Sequence, residues 1–472
     1  MVITKAALIK NLVKELQADN LAIFAGAGLS KPAGFVDWKN LLREVAEELD
    51  LDIDKEESDL VALAQYHVNS KRNRTKINQL IIEEFSKNIE VTENHRILAR
   101  LPINTFWTTN YDNLIEKALD NAKKVVDVKH DPEQLLTSPK RRDAVVYKMH
   151  GDYQHPKDAV IIKDDYERYA LKRNEFYIAL RGDLLTKKFL FLGFSFADPN
   201  IDYILGRIRA SYTENHQTHY CILRRVQKFS GEDLADFEYR EKKQKYFIED
   251  LQRVGVETLL VKDYSEITEI LKEVESAFKK RTIFISGAAH DFSPYSKEEV
   301  EKFIFELSKE IIKLDFRIVT GFGLGIGSSV IAGAIEELLL SGKRITEDEL
   351  ILRPFPQTTS GEKNLLELWS AYRNDMISFA GISLFIFGNK LDQKTGGVID
   401  SNGMIDEFEI SKANNCVLLP IGATGSMSKK LAEKVIEDKL QPTISLESIT
   451  NEIADLEVLK KNILDILKSL KK

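Results

Sequence analysis

Asn110 and Asp112 sit in the stretch FWTTNYDNLIEKAL, residues 106–119. Apolar and β-branched residues precede them, and a helical pattern (Leu114, Ile115, Ala118, Leu119) follows. The spacing places an amide and a carboxylate where a strand hands over to a helix. In an open α/β sheet that corner lies at the carboxyl edge, where ligands bind. FAGAGLS sets Ala25, Gly26, Ala27, Gly28 and Ser30 at a second such corner. Glycines there let the backbone approach a pyrophosphate, and a helix N-terminus favours its charge. DAVVYKMHGD ends on His150 and Gly151, and LGFSFADPNI supplies Gly193 and Ser195. Each corner alone has a plain reading: a packing turn, a helix cap at Asn110, a structural histidine. Four polar corners on one sheet edge are hard to explain by packing.

The second half offers its own set. TGFGLGIGSSVIAGAIEEL carries glycines at 321, 323, 325 and 327 between a strand and a helix, a generous nucleotide loop. FISGAA adds a backbone turn at Gly287. Phe355 in RPFP could stack a base or simply fill core. Arg373 and Lys390 could neutralise phosphates or be surface cations. SNGMIDEFEI reads G-x-x-x-E, with Gly403 before a helix and Glu407 in its first turn. A carboxylate there could accept from ribose hydroxyls or merely suit the helix dipole.

Positioning these groups requires strands that alternate with helices. Strands are expected at 21–26, 105–110, 143–152, 187–195, 219–225 and 257–261, with helices at 38–49, 56–70 and 75–87. A helix at 265–280 ends in lysines and RTIFISGAA starts afresh, so the boundary is placed near 281. Further strands are expected at 316–327, 350–356, 381–389 and 415–425. The expected class is α/β, with two Rossmann-like doubly wound parallel-sheet domains, 1–281 and 282–472.

The chain has 472 residues, 43% hydrophobic and 30% charged, which suits two soluble domains. A net charge of −7 argues against a nucleic-acid partner. Cys221 and Cys416 are too few for a four-thiolate zinc site, and no metal is expected. Lysines interrupt the apolar pattern of MVITKAALIKNLVKEL, so it reads as an amphipathic helix and not a signal peptide. No apolar run spans a bilayer, and a cytoplasmic location without membrane contact is expected. The final IADLEVLKKNILDILKSLKK reads as a basic amphipathic helix for packing or self-association.

The ordered set of a GAG-x-S turn (26–30), a T-x-N-x-D corner (108–112), His-Gly (150–151) and Gly-x-Ser (193–195) resembles the sirtuin family, across roughly residues 15–225. The resemblance implies cleavage of the nicotinamide–ribose bond of NAD through a cation-like ribose. Asn110 would hold the ribose or orient the attacking water, and His150 would contact ribose hydroxyls and act as general base. Ala25, Gly26, Ala27, Gly28, Ser30, Thr109, Asp112, Gly193 and Ser195 would bind NAD. Protein-deacylating sirtuins carry a four-cysteine zinc ribbon, which this chain lacks. They also carry a G-I-P-D-F-R stretch, where this chain reads KPAGFVDWKNLL. Both departures favour water as acceptor, hence an NAD hydrolase. A nucleotide-regulated deacylase and a non-enzymatic nucleotide-binding scaffold are the alternatives.

The second half resembles the SLOG superfamily of nucleotide binders. It keeps only the G-x-x-x-E part of the phosphoribohydrolase motif, which favours sensing over catalysis. The fusion of both halves resembles the effector family of the Thoeris antiphage system. That resemblance implies activation by a cyclic ADP-ribose-type signal from a TIR-domain partner, and a homotetramer. The signal would bind at Gly287, Ala288, Leu324, Phe355, Arg373, Lys390, Gly403 and Glu407.

Overall fold

A computed structural model describes residues 2–55, 59–196, 198–211, 217–356, 364–392, 394–441 and 443–471. The chain divides into two compact units, Met1–Glu275 and Ser276–Lys472, and the division falls within the helix Ser265–Lys279.

The first unit is built on seven strands: β1 (Leu21–Ala25), β2 (Thr105–Thr108), β3 (Val126–Lys129), β4 (Ala144–Lys148), β5 (Lys188–Leu192), β6 (His219–Arg224) and β7 (Val256–Val261). All pair in parallel, in the order β3-β4-β2-β1-β5-β6-β7. Every residue of β1 and β2 is buried. These central strands therefore read as continuous apolar runs instead of alternating ones. Ala22 and Phe24 of β1 pack with Phe176, Leu180 and Leu184 of the helix Asn174–Thr186.

Strand β3 was not expected from the sequence, and its chemistry explains why. Its burial alternates, but the buried positions are Asp127 and Lys129, ion-paired at 2.8 Å. Arg142 adds a second contact to Asp127 at 2.7 Å. A short edge strand with inward charges resists pairing with another chain, yet carries no hydrophobic period to read. The helix expected at 38–49 is also two pieces, Trp38–Leu41 and Arg43–Glu47, because Leu42 leaves helical geometry (φ −93°, ψ 7°). The helix expected at 56–70 begins at Leu60, with Asp59 capping it; residues 56–58 lie outside the described residues.

The second unit holds β8 (Thr282–Ala288), β9 (Arg317–Thr320), β10 (Leu350–Leu352), β11 (Ile382–Phe387), the hairpin strands β12 (Asn389–Leu391) and β13 (Val398–Asp400), and β14 (Val417–Pro420). Its parallel sheet runs β10-β9-β8-β11-β14. Ile283 and Ile285 join a cluster with Val300 and Phe303 of the helix Lys297–Lys313, while Phe284 faces Met376 and Ile377 of the helix Leu365–Ser378. Helices thus cover both faces, as the doubly wound expectation requires. The final helix, Leu456–Leu470, packs Leu459, Ile463, Leu464 and Leu467 into this same core. Both cysteines are buried thiols. Among the described residues no helix is long and apolar enough to cross a membrane.

Candidate functional site

In the first sheet the chain leaves β1 toward β2 and leaves β5 toward β6, so the strand order reverses between β1 and β5. A crevice opens at such a switch point, beyond the carboxyl ends. Here the two turns cross with no space to spare. Gly28 N donates to Gly193 O at 2.9 Å, and Gly26 N donates to Leu192 O at 2.9 Å. A Cβ on Gly193 would stand 2.1 Å from Leu29 N, and its φ of 62° is itself a glycine conformation. The glycine turn is therefore a packing device, and these two amides are bound internally. Their closeness is what brings Ser30 and Ser195 to the rim of one cavity.

That cavity, of about 360 Å³, is lined by Gly26, Ala27, Gly28, Ser30, Thr109, Asn110, Asp112, His150, Gly193 and Ser195. The size suits a small-molecule site. Ala25 does not reach it: its carbonyl accepts from Thr108 Oγ1 at 3.0 Å inside the sheet.

Asn110 does not cap the following helix. Its Nδ2 donates to Gly26 O at 3.1 Å and to Ser30 Oγ at 3.0 Å. A carbonyl can only accept, so the amide nitrogen must face Gly26 and Oδ1 is the atom left for a ligand. The local cap comes from Asp112, whose Oδ1 accepts from Leu114 N at 3.0 Å. The other oxygen, Oδ2, is buried without a partner.

His150 is buried at the end of β4. Its Nε2 stands 3.0 Å from Asp198 Oδ2, an ion-pair distance, but lacks hydrogen-bond alignment and so remains unsatisfied. The ring of Tyr166 meets it edge-on at 5.5 Å. Burial, with the Asp198 charge adding to it, raises the Tyr166 hydroxyl well above its ordinary range and keeps it neutral. Asp198 and Tyr166 are cavity residues that the sequence reading did not single out. Asp198 stands in the quoted run LGFSFADPNI, three residues beyond Ser195, so proximity to the Gly-x-Ser turn was the available signal.

An apolar wall closes another side through Phe35, Val36, Trp38 and Phe85. Asp37 also lines the cavity, and its carboxylate caps Asn40 N and pairs with Lys31 at 2.9 Å. Burial opposes its ionisation, but Lys31 and the Asn40 amide hold it below the ordinary carboxylate value.

Behind the site lies Lys148, fully buried on β4. Its Nζ donates to Asp112 O at 2.5 Å and to Tyr111 O at 3.3 Å, and pairs with Asp152 at 2.5 Å and Glu116 at 3.0 Å. Burial pulls its pKa down, but Glu116 and Asp152 outweigh it and hold the ammonium above the ordinary lysine value. One cation thus ties the Asn110 loop to the His150 loop. Removing one partner of such a buried network costs about 3–5 kcal/mol.

The second sheet has its switch point between β8 and β11. The same close crossing recurs: a Cβ on Gly323 would stand 1.7 Å from Gly287 O, and Ala289 N donates to Leu324 O at 3.0 Å. Gly287 and Ala288 end β8, and the Leu324 side chain is exposed beside them. Ser286 Oγ donates to Glu407 Oε2 at 2.6 Å, while Arg373 reaches Glu407 and Asp406 at 3.4 Å each. The Arg373 guanidinium lies over the Phe355 ring at 5.2 Å, and Gly403 leaves it room, since a Cβ there would stand 2.8 Å from Nη2. Phe355 also packs on Gly321 and edge-on to Tyr372.

Contrary to what the sequence pattern suggests, Gly403 does not precede the helix, and Glu407 does not sit in its first turn. The helix runs Asn402–Ala413, so Gly403 is inside its first turn and Glu407 lies beyond that turn. The dipole does not account for Glu407; its partners Ser286 and Arg373 do. Burial raises its pKa above the ordinary glutamate value despite both. Lys390 is exposed on β12 of the hairpin, and no described contact joins it to this cluster.

Comparison with known proteins follows the same division. Residues 104–250 match the SIR2-like domain family, and residues 266–471 match the Sir2- and TIR-associating SLOG family. The chain is 51% identical over 431 residues to the NAD(+) hydrolase ThsA of Bacillus cereus (strain MSX-D12), covering 91% of this chain and 89% of that protein. It is 45% identical over 435 residues to the NAD(+) hydrolase ThsA of Acinetobacter baumannii (strain 532279), covering 91% and 90%. It is also 45% identical over 444 residues to the NAD(+) hydrolase ThsA of Cytobacillus dafuensis, covering 92% and 89%. With its SIR2-like and SLOG halves in that order, the chain belongs to the ThsA family of NAD(+) hydrolases.

Proposed function

We propose that the cavity between β1 and β5 hydrolyses NAD to nicotinamide and ADP-ribose, and that a cyclic ADP-ribose-type nucleotide at the β8–β11 edge switches this reaction on in antiphage defence. The observation that carries the first part is the convergence of Asn110, His150 and Ser30 on one cavity at the switch point. The bond from ribose C1′ to the nicotinamide nitrogen breaks, and its electron pair leaves with nicotinamide. Water adds at C1′, and its proton passes to His150 and then to solvent. Asn110 Oδ1 orients that water or holds a ribose hydroxyl; its Nδ2 is fixed by Gly26 and Ser30. The apolar wall around Phe35 and Phe85 excludes stray water.

The sensing part rests on family membership and on the cluster of Ser286, Phe355, Arg373 and Glu407. Phe355 would stack the base, Arg373 would take phosphate, and Glu407 would accept ribose hydroxyls. Lys390 joins them in this reading as an exposed cation that reaches the phosphates. The signal would come from a TIR-domain partner and the acting species would be a homotetramer, both from the family resemblance. A ligand activates only by binding the active state better than the resting one.

The test is NAD consumption by the purified full-length chain, with and without cyclic ADP-ribose isomers. Ligand-triggered release of nicotinamide and ADP-ribose is expected. Constitutive turnover would discard the switch, and no turnover under any condition would discard the proposal.

A further inference from the structure

Asp198 has a plain structural role, and a second contact that this role does not need. Its Oδ1 accepts from Ile201 N at 3.3 Å, as an N-cap of the helix Pro199–Ser211 would. Its other oxygen faces the active site: Oδ2 stands 3.0 Å from His150 Nε2, the buried ring nitrogen that lacks a hydrogen bond. Both side chains are nearly inaccessible, at 8% and 3% exposure. The approach to His150 is a contact that capping does not require.

The surroundings make the charge matter. Tyr111, Tyr166 and Tyr169 lie within electrostatic reach of Asp198, and burial raises all three hydroxyls, so they stay neutral. Tyr111 Oη donates to Val160 O and Tyr169 Oη to Met149 O. The carboxylate therefore acts in a dry, low-dielectric wall, where a charge has more effect than in water.

We infer that Asp198 is a positioning residue for NAD hydrolysis, one that holds the His150 ring and sets which nitrogen is basic. A small rotation of the ring converts the 3.0 Å approach into an Nε2–H donation to Oδ2. The tautomer is then fixed, and Nδ1 is the nitrogen that takes the proton from the attacking water. As the imidazolium forms, the adjacent carboxylate stabilises it without itself being protonated, and the proton then leaves to solvent. This inference rests on the assignment of His150 as the general base.

The experiment compares Asp198→Asn, Asp198→Glu and His150→Ala in the full-length chain, under the condition that gives the parent its fastest NAD turnover. Asparagine caps a helix as well as aspartate, so Asp198→Asn keeps the cap and replaces the charged acceptor facing His150 Nε2 with a neutral NH2 donor. The expected result is a loss in kcat of at least about tenfold with KM and thermal midpoint unchanged. Asp198→Glu restores the charge at the expense of the cap, and is expected to recover part of kcat. Parent-like kcat in Asp198→Asn beside an inactive His150→Ala would show that Asp198 is a cap only. A kcat loss with no recovery in Asp198→Glu would also overturn the electrostatic role. Parent-like turnover in His150→Ala would instead remove the base assignment beneath the inference.

Discussion

At the edge of the first sheet Gly193 lies on Gly28, and at the edge of the second Gly323 lies on Gly287. Both units thus use glycines to bring two turns into contact at a strand-order reversal. What they hold there differs. The first edge holds polar atoms short of hydrogen bonds: Asp112 Oδ2 is buried and unsatisfied, and His150 Nε2 has only the unaligned approach of Asp198 Oδ2 at 3.0 Å. The second edge holds groups already joined to one another, with Glu407 bonded to Ser286 and paired with Arg373. Buried unsatisfied atoms cost free energy that a ligand can relieve. A self-paired cluster gives a ligand nothing until the pairing is exchanged. The first arrangement suits a preorganised reaction site, and the second suits a switch with a resting state.

The largest expected effect breaks the first arrangement. Asn110→Ala and His150→Ala should each lower NAD turnover at least about 100-fold, with the fold retained. For Asn110→Ala the lost bonds are those to Gly26 and Ser30, so some loosening of the turn is expected too. Nicotinamide release by the purified variants checks this, with circular dichroism to confirm folding. Parent-like turnover in either variant would remove that residue from the mechanism.

A smaller effect is expected at the second edge. Arg373→Ala should leave the catalytic residues untouched and weaken the activating nucleotide about ten- to a hundredfold, the worth of a charge-assisted hydrogen bond. The same change leaves Glu407 without its cation, and burial already pushes that carboxyl toward its neutral form. Arg373→Lys keeps the charge but loses the planar stacking on Phe355, so it should recover only part of the response. Dose–response curves for cyclic ADP-ribose isomers separate these variants. A curve identical to the parent's in Arg373→Ala would place the sensor elsewhere.

The same contrast shows what a sequence can convey. Buried central strands such as β1 and β5 were legible because parallel strands covered on both faces are continuously apolar. The corner residues were legible because Asn110 and His150 follow the apolar runs of β2 and β4 with polar groups. Strand β3 was not, since its inward residues are Asp127 and Lys129, which invert the usual pattern. The pairing of His150 with Asp198 was hidden for another reason: it joins residues 48 positions apart, across two strands that do not neighbour each other. The setting of Glu407 was misread because the helix begins at Asn402, two residues before the expected start, which moves Glu407 out of the first turn.

The smallest predicted effect concerns acid, and it should separate the two units. His95 is buried on the helix Glu93–Arg100, within electrostatic reach of Asp112; its Nδ1 meets Thr92 Oγ1 at 2.7 Å, and its Nε2 is buried without a hydrogen bond. Burial holds its pKa below the ordinary 6.5, against the opposing pull of Asp112. Burial lowers His130 as well, with His155 adding to it. A histidine with a depressed folded pKa binds fewer protons folded than unfolded, so its contribution is present at neutral pH and is lost as pH falls below 6.5. Glu407 has the opposite sign. Its folded pKa is raised, so the folded state takes up its proton first and gains stability as pH falls toward the carboxylate range. Burial raises Glu116 and Asp183 of the first unit in the same sense, so the contrast rests on the buried histidines, and acidification from pH 7 to about pH 5 should loosen the first unit before the second. Hydrogen exchange across the full chain at both pH values reads the two units separately. His95→Gln, which cannot titrate, should reduce the acid sensitivity of the first unit and leave the second as it was. Equal acid sensitivity in His95→Gln and the parent would mean that His95 is not the group responsible.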